Sequence, residues 1–181
     1  MNRITAANLI LVDINYLWEV GDGYLESIME LKTNINNIYS INLLSTLAVE
    51  LLAKTIIAAN ICLENKDKEE NEIFAKIDSI FRDKGHKLDE LLKTREIEDK
   101  LEIEFIKKSD DKSFRDEYVI KVKNLNDVLI LKTLEAARYA TFSRRKDAII
   151  IYQDKRIYEF MEKLSGVAKR KIDDVRLALM K

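Results

Sequence analysis

The chain has 181 residues, with 31 Lys/Arg against 32 Asp/Glu, no proline, four glycines and one cysteine. That length suits one domain, 1–181, with a core that needs no covalent staple, and a lone Cys62 excludes an internal disulfide. A 47% apolar, 35% charged composition without proline fits a water-soluble, helix-rich globule rather than a sheet protein built on tight turns.

Taken in chain order, residues 5–20 read as a helix, because Leu9, Ile10, Ile14, Leu17 and Trp18 recur in three- and four-residue steps. Gly21-Asp22-Gly23 is expected to end or kink it, and Tyr24 to Lys32 resume the same period. Asn34–Asn37 read as a loop and Ser40 as an N-cap. The next helix, near 41–63, is apolar almost all the way round and is therefore expected at the centre of the fold. Glu72–Arg82 form a short amphipathic helix that Gly85 closes, and Lys87–Lys93 start another turn. Over 95–107 the signals compete. Leu101, Ile103 and Phe105 alternate like a strand, whereas Ile97, Leu101 and Phe105 step by four; with no partner strand apparent, the reading is helix. Phe114, Tyr118 and Val122 also step by four, and 128–138 resume a helical pattern. Ala148–Tyr152 are a short apolar run that reads as extended. The last helix, near 155–180, carries Ile157, Met161, Leu164, Ala168, Val175 and Leu179 on one stripe. The expected fold is an all-α helical bundle. An apolar stripe of that length on the last helix also points to a homodimer. No basic leader precedes an apolar run, and Glu50 and Lys54 interrupt the longest apolar stretch, so the expectation is a cytoplasmic chain with no membrane span.

Charge is unevenly distributed. Residues 1–81 hold six Lys/Arg and twelve Asp/Glu, whereas 138–171 hold ten and four. The basic stretch interleaves aromatics: Arg138, Tyr139, Phe142, Arg144, Arg145, Lys146 and Arg156. Such a surface can hold phosphates and stack bases, so RNA or a nucleotide is the anionic partner to expect. On the central helix, Thr46, Glu50 and Lys54 step by four and share a stripe. Charges on an otherwise apolar helix need polar neighbours. His86 is the sole histidine, the one side chain whose ordinary titration lies near neutrality. It follows Gly85, where it serves either as a ligand-facing group or as a local cap. No phosphate loop, dinucleotide fingerprint, paired Cys/His metal pattern or serine triad is present, so no metal or cofactor is expected.

Three segments in order, AVELLAK at 48–54, GHKLDELL at 85–92 and EAARYATF at 135–142, resemble the HEPN superfamily of helical domains. The resemblance covers residues 40–142 directly and the whole chain by helix order. It implies a bundle of four or five helices, frequent dimerisation, work with nucleotides or RNA, and a setting in defence or toxin–antitoxin systems beside a partner protein encoded nearby. It places Glu50, Lys54, His86, Arg138 and Tyr139 at the ligand site. Catalytic members carry an arginine, four to six residues, then a histidine; here Arg82 precedes His86 by only three intervening residues. The expected function is accordingly a non-catalytic binding or regulatory module. The alternatives are a degenerate ribonuclease with His86 as general acid–base, and a purely structural interaction protein. In the sharpest form of the expectation, Glu50, Lys54, His86 and Arg138 converge on one polar site, with Arg138 pairing Glu50 and Lys54 left free for an anion.

Overall fold

A computed structural model describes residues 3–31, 38–108, 117–123, 128–133 and 155–180. Among them are six helices and three strands: α1 (Arg3–Leu31), α2 (Ile38–Glu64), α3 (Glu70–Lys84), α4 (Leu88–Leu91), α5 (Arg95–Leu101), β1 (Ile103–Lys108), β2 (Glu117–Val122), β3 (Leu129–Lys132) and α6 (Lys155–Leu179).

The fold is mostly helical, and α2 is its axis. Ala48, Val49, Leu52, Ala53, Ile56 and Ala59 of α2 are each wholly buried, as an all-round apolar helix requires. α1 packs along it with the most extensive interhelical contact, and α6 packs against both. The helix from Ser40 to Glu64 is long and apolar enough to cross a membrane, but 72% of that apolar window is buried inside the protein. Its apolar surface is therefore assigned to the core. The stripe on α6 that suggested a dimer is spent in the same way: Ile157, Met161, Leu164, Ala168 and Val175 are buried within this chain.

α1 does not break at Gly21-Asp22-Gly23; it runs through them. A Cβ at Gly21 would sit 3.1 Å from the Leu52 side chain and 3.3 Å from the Leu51 Cβ, so this glycine marks the close approach of α1 to α2. A few residues along, Trp18 Nε1 donates to Ser165 Oγ at 3.1 Å and Ser165 Oγ donates to Asp22 Oδ1. That relay pins α1 to α6 in an antiparallel sense, and Lys169 lies over the Trp18 ring at 5.1 Å.

Where helix was expected over 95–107, α5 stops at Leu101. Glu102 adopts a left-handed conformation (φ 54°), and β1 follows. Tyr118 and Val122 do not share a helix face either, and Phe114 lies outside the described residues. Residues 117–122 form β2, the middle strand of an antiparallel sheet ordered β1-β2-β3, and Leu129–Lys132 form β3 where a helix was expected. A register shift between Ile103 and Phe105 lets Ile103 pair with Val122 and Ile106 with Ile120. Ile103 and Ile106 thus both reach the core, although an odd spacing separates them, while Phe105 is left 43% exposed. Tyr118, Ile120, Leu129 and Leu131 complete the buried face of the sheet. The expected loop at Asn34–Asn37, the run Ala148–Tyr152 and most of the basic stretch lie outside the described residues.

Candidate functional site

The site starts from α2. Four-residue spacing puts Glu50 and Lys54 one turn apart on one stripe, and packing leaves Glu50 only 3% exposed. Its Oε1 accepts a hydrogen bond from Lys54 Nζ at 2.7 Å. α3 then supplies two features. Phe81 places its ring 5.5 Å from the Lys54 ammonium, and Gly85 ends the helix with φ 55°, its N–H bonding back to the Phe81 carbonyl. A positive φ is cheap only for glycine, and this turn carries the next residue toward α2. His86 Nδ1 lies 2.7 Å from the same Glu50 Oε1. A carboxylate only accepts, so Nδ1 is the donor and carries the proton. Nε2 is then the ring nitrogen not engaged by Glu50. The imidazole side chain stays 58% exposed.

One buried carboxylate oxygen therefore holds a nearly buried ammonium on one side and an exposed imidazole on the other. The second oxygen, Oε2, is buried and has no hydrogen-bond partner among the described residues. Lys54 is not left free for an anion as expected; Glu50 and the Phe81 face both engage it, and its side chain is only 13% exposed. The exposed, orientable group of the cluster is His86.

Sequence reasoning missed two members. Phe81 sits within the amphipathic helix read over Glu72–Arg82, where nothing local marks it as the partner of Lys54. Tyr118 was placed on a helix, yet it enters from β2 and is 5% exposed. Burial pushes its phenol above the ordinary range, the nearby Asp89 charge adds to this, and a backbone hydrogen bond from Leu88 opposes it. The Glu50 charge is the smallest contributor to the same rise. The signal that could have found it is the composition of Glu117–Val122, where Tyr, Val and Ile alternate into one buried face.

Of the other expected site residues, Arg138, Tyr139, Arg144, Arg145 and Lys146 lie outside the described residues. Arg156 falls in the first turn of α6 and is partly buried. No group of three or more potential metal ligands occurs among the described residues. No protein-family model, curated protein or solved structure matches the chain.

Proposed function

We propose that this chain is a HEPN-like binding module, without catalysis, that engages RNA or a nucleotide through the notch formed by Glu50, Lys54 and His86. The supporting observation is the exposed His86 ring held by a carboxylate that is itself buried. Glu50 neutralises Lys54 and aims the imidazole, and His86 presents Nε2 to an incoming ligand. The basic, aromatic-interleaved stretch 138–156 supplies the long-range attraction. A regulatory role in a defence or toxin–antitoxin setting, beside a partner protein encoded nearby, belongs to the same reading. So does a homodimer; because the α6 stripe is internal, the surface it would use is the exposed set Leu9, Val12 and Tyr16 with Leu177 and Met180.

The decisive measurement is binding of a single-stranded RNA oligonucleotide at two salt concentrations. Affinity should fall as salt rises. His86→Ala should weaken it by about three- to tenfold, the size of one hydrogen bond, with the RNA left intact. Binding that ignores both salt and His86→Ala would defeat the proposal.

A second reading rests on the Glu50–His86 contact itself. A carboxylate on Nδ1 with Nε2 unengaged is an arrangement suited to general acid–base work, and the degenerate ribonuclease uses it. Cleavage of RNA by the wild type that disappears in His86→Ala would select this reading. A chain that neither binds nor cleaves RNA would leave the cluster a purely structural device.

A further inference from the structure

Away from His86, a cavity of about 540 Å³ opens between the last turns of α2, the end of α3 and the start of α5. That volume falls inside the range of roughly 300–1,000 Å³ typical of small-molecule sites. Its floor is apolar. Ile57 and Ile61 come from α2, on the stripe below Lys54, and Ile80 comes from α3. Ile57 and Ile61 are buried members of the packed core and Ile80 packs against it, so the floor is preformed.

The walls are polar and only partly engaged. Arg95 pairs with Asp99 at 3.7 Å, Glu96 pairs with Lys171 at 2.6 Å, and Lys84 Nζ donates to the Glu90 carbonyl at 2.8 Å. Two lining charges are left over. Glu64 at the end of α2 and Lys100 on α5 form no ion pair with each other or with any other of the described residues. Two neutral groups are unused as well. Asn60 has no side-chain hydrogen bond among the described residues. Thr94 stands at the N-cap of α5 but makes no capping bond, and its hydroxyl is buried without a partner. A buried hydroxyl left unmatched carries a desolvation cost that a ligand contact would relieve.

We infer that this cavity binds a small zwitterion with an apolar body, of the class of the large apolar α-amino acids. The apolar side chain covers Ile57, Ile61 and Ile80. The ammonium meets Glu64, the carboxylate meets Lys100, and the Thr94 hydroxyl and Asn60 amide take the remaining polar contacts. Leftover charges of opposite sign and net zero argue against a polyanion such as a nucleotide, and an apolar floor argues against a sugar. The inference is independent of the RNA reading, since no residue of the His86 notch lines this cavity.

Titration of L-phenylalanine followed by amide and histidine-ring NMR tests it. Signals of Ile61, Thr94 and Lys100 should shift, and those of the His86 ring should not. Glu64→Gln and Lys100→Gln should each weaken binding by about tenfold, the loss of one charge-assisted hydrogen bond. 3-Phenylpropionate, which lacks the ammonium, should respond to Lys100→Gln and ignore Glu64→Gln. Both positions are exposed, so the variants keep the fold, and an unchanged melting temperature verifies this. No shift at millimolar phenylalanine, binding by both variants as tight as by the wild type, or a response centred on His86 would each overturn the inference.

Discussion

Glu50 is the residue on which the polar chemistry of this protein turns. Its carboxylate is buried at the middle of the most apolar helix, a position that is tolerated only with compensation. Lys54 and His86 compensate one oxygen. Truncation would strand Lys54, mostly buried against Phe81, without its counter-charge. Glu50→Ala is therefore expected to destabilise the fold by about 3 kcal/mol, the low end for breaking a buried pair, because Lys54 retains some solvent. Glu50→Gln keeps an acceptor for both donors and should cost clearly less. His86→Ala removes only the exposed partner and should cost least. Urea unfolding of the three variants gives the order directly. A loss in His86→Ala as large as that in Glu50→Ala would mean that the imidazole, not Lys54, depends on the carboxylate.

At the scale of elements, the glycines of α1 separate two kinds of constraint. A Cβ at Gly21 would press on the Leu51 and Leu52 side chains, which must give by a few tenths of an ångström, whereas nothing lies within 4 Å of a Cβ at Gly23. Gly21→Val should destabilise by about 1–3 kcal/mol through overpacking. Gly23→Ala should stabilise by about 0.5–1 kcal/mol, because alanine loses less conformational freedom in a helix. Thermal melts of the two variants should move in opposite directions. The same pair shows what was and was not legible in the sequence. Glycine in a helical pattern reads as a break, and only tertiary contact reveals that Gly21 is a packing notch. α2, α6 and the Gly85 stop were readable because their signals are local: an all-round apolar run, a sustained stripe and a residue made for positive φ. The sheet was not. β1 owes its buried pair to a bulge that spoils the alternation expected of a strand, and β2 carries Tyr118 and Val122 at a spacing that four-residue steps also satisfy. The contact of His86 with Glu50 spans 36 positions, and only the unusual charge on α2 hinted at it.

For the molecule as a whole, three buried acids on three different elements face one core. Burial pushes up the Cys62 thiol on α2, the Tyr118 phenol on β2 and the Tyr158 phenol on α6. Each is held protonated in the fold and titrates at its ordinary value once the chain unfolds. Above those ordinary values, about 9.0 for the thiol and 10.0 for the phenols, the folded chain binds more protons than the unfolded one. Stability must then decline as pH rises, since its slope follows the protons bound by the unfolded state minus those bound by the native state. The contribution is complete below pH 9.0 and is lost as pH climbs through the raised values. Urea midpoints measured from neutral to strongly alkaline pH should hold level in this respect and then fall. Tyr118→Phe should flatten part of that fall, because the group that titrates is gone while most of the packing remains. Because the three groups sit on elements that share one core, their release should be concerted: Cys62 should become reactive to a thiol reagent in the same transition that shifts the tyrosine absorbance. Cys62 reacting in the folded protein, well before that transition, would show that α2 opens on its own and that the core is not one cooperative unit.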